Sequence, residues 1–135
     1  MLQFIVASHG NFASEALKSG AMIYGEVPAN VYVLSIQDEG PGAVQFAKET
    51  EALAEQLAGN PVLILSDFFG GSPFMILLSK FRNNNYKLIS GFNLPMVVEM
   101  LQCNGMGLEE AANSILTVGR DEGIRLVDKK TLEEV

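Results

Sequence analysis

Four short runs rich in β-forming residues, Leu2–Ala7, Val31–Ile36, Pro61–Ser66 and Tyr86–Ser90, alternate with longer stretches of helical spacing. This alternation constrains the fold more than any other feature. Leu2–Ala7 and Pro61–Ser66 are nearly continuous apolar runs, as strands buried on both faces require. Parallel neighbours in a sheet need crossover connections, and the intervening helices supply them. The expected fold class is therefore α/β: a doubly wound, mainly parallel sheet of four strands with helices on both faces. A fifth, C-terminal edge strand is expected at Gly123–Val127, separated from the fourth by two helices and free to pair elsewhere, a second subunit included. At 135 residues, without repeats or linkers, the chain reads as one domain over 1–135.

Local signals place the helices. Asn11 is positioned to cap the first, whose Ala13, Ala16, Leu17, Ala21 and Tyr24 recur near helical spacing before Gly25 stops it. A second is expected over Ala43–Ala58, with Val44, Ala47, Leu53, Ala54 and Leu57 inward and Gly59 at its end. Ser72 followed by Pro73 opens a third. There the hydroxyl accepts from an unpaired amide, and proline at the first helical position has no amide to leave unpaired. That helix runs to Phe81 or Arg82; Pro95 begins a fourth through about Gln102, and Leu108–Thr117 forms a fifth.

Charge and composition exclude several functions. Nine Lys and Arg against 16 Asp and Glu give a net charge of −7, with no basic run longer than Lys129-Lys130. Binding to nucleic acid or to an anionic membrane surface is disfavoured. A single cysteine, Cys103, excludes an intramolecular disulfide, and with one histidine it leaves too few soft ligands for a structural zinc site. A reducing cytoplasm fits. The opening MLQFIVASHG lacks the basic start of a secretion signal. The apolar stretch Pro61 to Ser79 holds Asp67, Gly70, Gly71, Ser72 and Pro73 in its middle, a centre too polar for lipid.

Ligands of open α/β sheets bind beyond the carboxyl ends of the strands, where the strand order reverses. The informative loops are then Ser8–Asn11, Gln37–Glu39, Ser66–Ser72 and Gly91–Asn93. His9 is the only histidine, flanked by small Ser8 and Gly10. A lone histidine is more often a surface or core residue, and its place at this edge is what makes it a candidate. Asp67 holds the equivalent place after the third strand, where a turn carboxylate is the plainer reading. First and third strands are neighbours in the common doubly wound order. A carboxylate on one imidazole nitrogen fixes the tautomer and leaves the other nitrogen as an exposed nucleophile. Gly70, Gly71 and Ser72 offer what a transferring phosphoryl group needs: backbone that approaches closely, free amides at a helix start and a hydroxyl. A tight turn with a helix cap explains the same residues.

Motifs of other chemistries are missing. The chain has no GxxxxGK[ST], no GxGxxG after a strand and no GxSxG, which argues against P-loop, dinucleotide and hydrolase sites. Asp38-Glu39 reads as solvated loop charge rather than a cation site. Cys103 reads as a packed small residue, and Met96, Met100 and Met106 as core filling.

Three segments in order, IVASHG, LILSDFFGGSPF and SGFNLPMVVEML, resemble the IIA domain of the mannose family of the bacterial sugar phosphotransferase system, from Leu2 to about Val127. The family pattern of a histidine, an aspartate with Gly-Gly-Ser-Pro, and Asn-x-Pro-Met is met by His9, Asp67, Gly70 to Pro73, and Asn93 to Met96. The resemblance implies a phosphoryl carrier in which His9 accepts from phospho-HPr and passes the group to a cognate IIB protein, a transfer between imidazoles for which no metal or cofactor is expected. It further implies that Asp67 orients the ring, that Ser72 with neighbouring amides of Gly70 and Gly71 holds phosphoryl oxygens, and that membrane IIC and IID components are reached only indirectly. A homodimer exchanging the fifth strand is implied too, and the short tail implies a IIB on a separate chain. The apolar rim of Phe12, Phe68, Phe69 and Phe92 is a candidate docking patch. The phosphocarrier subunit of a dihydroxyacetone kinase system is a related alternative, without the Asp-x-x-Gly-Gly-Ser-Pro seen here. A receiver module phosphorylated on Asp67 would need an acidic pair where Ser8-His9 stands, and a non-catalytic sensor differs from a carrier only in lacking onward transfer.

Overall fold

The computed structural model describes residues 1–133. Its strands are β1 (Gln3–His9), β2 (Val31–Ile36), β3 (Val62–Ser66) and β4 (Tyr86–Ser90). The helices are α1 (Phe12–Tyr24), α2 (Pro41–Gln56), α3 (Ser72–Lys80), α4 (Leu94–Leu101), α5 (Leu108–Thr117) and α6 (Lys129–Glu133), with a π-helical turn at Val118–Glu122 before the last. All strand pairs are parallel, in the order β2-β1-β3-β4. From β1 the chain steps outward to β2 and then returns past β1 to β3. The reversal sets the carboxyl ends of β1 and β3 side by side, with Ala7 opposite Ser66.

The two central strands are buried on both faces, and successive side chains supply opposite cores. Phe4, Val6, Leu63 and Leu65 pack with Leu17, Val97 and Ile115 of α1, α4 and α5. Ile5, Ala7, Val62 and Ile64 pack with Phe46, Leu53, Leu77 and Phe81 on the α2 and α3 side. Burying one such large side chain stabilises by about 1.5–3 kcal/mol. Truncating Ile64 to alanine would cost about 2–5 kcal/mol through the cavity left behind. Gly20 lets α1 approach α4 closely, since a Cβ there would stand 3.0 Å from Val97 Cγ1.

Some local expectations are corrected. The Asn11 side chain makes no cap bond; the buried Ser8 hydroxyl accepts from the Ala13 amide at 2.7 Å instead, because β1 delivers it inside the turn. Gly71, not Ser72, takes the cap position of α3, so the Ser72 hydroxyl is left for another partner. In α2 the inward stripe is Phe46, Thr50, Leu53 and Ala54, continued by Leu57 at its C-cap, a helical spacing that leaves Val44 exposed. Thr50 tolerates burial by donating its hydroxyl to the Phe46 carbonyl at 2.7 Å. Tyr24, at the end of α1, is exposed.

Gly123–Val127 is not a fifth strand of this sheet: among the described residues it pairs with no other, and Ile124, Leu126 and Val127 are exposed. The π-helical turn sets Gly123 against Pro95, where a Cβ would lie 2.6 Å from the proline ring, so the segment departs from the start of α4 and not beside β4. Among the described residues no strand pairs with the outer edge of β4.

Candidate functional site

His9 is the last residue of β1, and Gly10, at φ +52°, turns the chain into α1 where a side chain would be strained. Asp67 follows β3 directly. Its Oδ2 accepts from the His9 backbone N–H at 3.0 Å and lies 2.8 Å from His9 Nδ1. A carboxylate oxygen only accepts, so Nδ1 carries a proton, and in the neutral ring Nε2 holds the free lone pair. Asp67 is largely shielded, its side chain 13% exposed, while the imidazole is 45% exposed. Asp67 Oδ1 is buried and has no partner among the described residues, so the side chain's bonds all run to His9.

The turn after Asp67 comes up against the ring. Gly70 takes φ +81°, and at Gly71 a Cβ would stand 3.0 Å from His9 Cε1, so a larger residue would press on the imidazole. The Ser72 hydroxyl donates to Glu39 Oε2 at 2.6 Å, and Glu39 Oε1 lies 4.0 Å from His9 Nε2. Glu39 is held by its neighbour: Asp38 Oδ1 accepts from the Gly40 and Gly42 amides at 2.9 and 2.8 Å, which fixes the loop between β2 and α2. Asp38-Glu39 is therefore more than solvated charge. The available signal was its place after β2, at the ligand-bearing edge. Among the described residues no group of three His, Cys, Asp or Glu side chains is placed to hold a metal ion.

The structure thus brings His9, Asp67, Gly71 and Ser72 together, with Gly70 in the same turn. Of the aromatic rim, Phe12, Phe68 and Phe69 are exposed, whereas Phe92 is core, stacked against Phe12 with centroids 5.1 Å apart. Asn93 has a structural use: its Oδ1 accepts from the Met96 amide and its Nδ2 donates to the Gly119 carbonyl, each at 3.1 Å, tying α4 to the π-helical turn. Met96 and Met100 fill the core. Cys103 is buried, and burial, then Glu99 and Glu110, push its thiol up to about 11, leaving it unreactive near neutral pH.

Known proteins match over the same span. Residues 3–116 match the family model described as PTS system fructose IIA component. The PTS system fructose-specific EIIA component of Bacillus subtilis is 29% identical over 117 residues, covering 85% of this chain and 80% of the relative. The PTS system mannose-specific EIIAB component of Escherichia coli is 28% identical over 139 residues, covering 98% of this chain; the chain spans 42% of that protein. Among solved structures, the PTS IIA protein associated with the fucose utilization operon from Streptococcus pneumoniae superposes with a TM-score of 0.77 at 31% identity, covering 98% of this chain and 96% of that one.

Proposed function

This chain belongs to the IIA components of the mannose family of the sugar phosphotransferase system, phosphoryl carriers in sugar uptake, and from that premise we propose that His9 Nε2 is the atom that carries the phosphoryl group. The observation behind this reading is the 2.8 Å contact of Asp67 Oδ2 with Nδ1, which leaves Nε2 as the exposed nucleophile beside the Gly71-Ser72 turn. The family match favours this over the dihydroxyacetone-type alternative.

In the proposed step the Nε2 lone pair forms a bond to the phosphorus of a phosphohistidine on HPr. The donor's P–N bond breaks, and its imidazole keeps the electron pair. His9 retains its Nδ1 proton throughout, and Asp67 balances the positive charge that grows on the ring. Transfer to a histidine of the cognate IIB reverses the sequence. Such loose transition states ask chiefly for positioning and charge stabilisation. The Gly71 amide already donates to the Phe68 carbonyl at 3.3 Å, so in this reading the Ser72 amide, at the start of α3, and the Ser72 hydroxyl receive the phosphoryl oxygens.

Phe12, Phe68 and Phe69 form the docking rim in this reading, and the net charge of −7 suits partners with basic faces. No described helix is long and apolar enough to cross a membrane, and we place the chain in the cytoplasm, linked to membrane IIC and IID components only through IIB. The homodimer is proposed to form by exchange of Gly123–Val127. A groove of about 730 Å³ runs along open β4, lined by Phe69, Phe74, Tyr86, Leu88 and Leu116. In the exchanged dimer, Ile124 and Leu126, exposed here and two residues apart, would share one face of the segment once extended and enter the partner's groove.

The test is incubation with phosphoenolpyruvate, the general phosphotransferase proteins and HPr, followed by intact mass. Wild type is expected to gain one acid-labile phosphoryl group, and His9→Ala none. A labelled, folded His9→Ala protein would remove His9 from the reading.

A further inference from the structure

We propose that Glu39 is a built-in occupant of the phosphoryl seat: its carboxylate fills the space between Ser72 and His9 Nε2 in the unphosphorylated protein and leaves when the phosphoryl group arrives. This rests on the reading of Nε2 as the acceptor atom. The Ser72 hydroxyl, proposed above as a phosphoryl ligand, already donates to Glu39 Oε2 at 2.6 Å. The other oxygen, Oε1, stands 4.0 Å from Nε2, beyond hydrogen-bond range, so the carboxylate is held by serine and not by histidine. A phosphoryl group on Nε2 would carry its oxygens into this gap, against a like charge.

The loop is built to present Glu39 without trapping it. Asp38 pins the Gly40 and Gly42 amides, and Gly42 lies so close that a Cβ would meet Asp38 Cγ at 2.9 Å. The backbone is thus fixed, while the Glu39 side chain is 65% exposed and can rotate into solvent. Phosphorylation then exchanges an internal monoanion for a dianion and frees the carboxylate. Because Glu39 opposes the charged form, it lowers the equilibrium load on His9 and favours passage to the acceptor. Solvent and salt screen so exposed a pair, which limits the effect to about three- to tenfold.

The experiment has two arms, on wild type, Glu39→Gln and Glu39→Ala, each checked for an unchanged thermal midpoint. In the first, inorganic phosphate is titrated while the Gly71 and Ser72 amide resonances are followed. Glu39→Ala is expected to bind phosphate about three- to tenfold more tightly than wild type, with Glu39→Gln between. Adding Ser72→Ala to Glu39→Ala is expected to abolish the gain. Equal affinities in the three proteins, or no phosphate-dependent shift in Glu39→Ala, would overturn the proposal. In the second arm the equilibrium with phospho-HPr is expected to move toward the phosphorylated chain by a similar factor. Failure of all three proteins to accept a phosphoryl group would sink the carrier reading, while the phosphate titration would still decide the role of Glu39.

Discussion

Two loops bring a carboxylate to the imidazole of His9, and they do so in opposite ways. The loop after β3 supplies Asp67, largely shielded and bound to both the backbone and the ring of His9 at 3.0 and 2.8 Å. The loop after β2 supplies Glu39, well exposed, 4.0 Å from the far ring nitrogen and, among the described residues, bonded to Ser72 alone. Burial with short bonds to two groups fixes a side chain; exposure with one bond leaves it free to move. The first carboxylate therefore suits a permanent orienting role, and the second a temporary one. The same amino-acid chemistry takes different work according to solvent access.

Perturbing the shielded loop should cost most. Asp67→Asn removes the charge that balances the ring in transfer and is expected to slow transfer from phospho-HPr by about a hundredfold while the protein stays folded, read by rapid quench and circular dichroism. An unchanged rate would erase the distinction between the loops. Gly71→Ala sets a methyl 3.0 Å from His9 Cε1 and is expected to lower the single-turnover rate by about tenfold, since misplacing a reacting ring is costly. A rate equal to wild type would mean that the ring has room to yield.

The two central strands were legible because burial on both faces leaves short, nearly continuous apolar runs, and the two edge strands, only partly buried, because β-forming residues stand between turn and helix signals. Val31–Ile36 and Tyr86–Ser90 stand where they were expected, and β1 and β3 differ from expectation by one or two residues at their ends. His9 and Asp67 were legible as candidates because strand ends at an order reversal are where such a sheet exposes side chains. Which ring nitrogen is engaged was not, since it depends on an interatomic contact between residues 58 apart in sequence. The bond of Ser72 to Glu39 spans 33 residues, and neither residue's local signal, a helix start and a loop charge, points to the other. Gly123–Val127 has the composition of a strand, but an edge strand is made by its partner.

Smaller effects sharpen the contrast on the exposed side. Asp38→Ala removes the acceptor for the Gly40 and Gly42 amides and is expected to cost about 1 kcal/mol in denaturant unfolding, with the transfer rate changed less than by Gly71→Ala. A tenfold loss of rate would show that the Glu39 loop is as rigidly required as the other. Cys103, buried away from both loops with its thiol raised to about 11, is expected to resist alkylation at neutral pH in the native protein and to react once unfolded. Rapid native labelling, followed by mass, would contradict the packing around it.

The most direct measurement is a phosphorus-to-nitrogen coupling experiment on the phosphorylated protein, with the imidazole nitrogens labelled. Coupling at Nε2 of His9, with Nδ1 still protonated, is the result the account predicts. Coupling at Nδ1, or a phosphoryl group on Asp67 or Ser72, would contradict it.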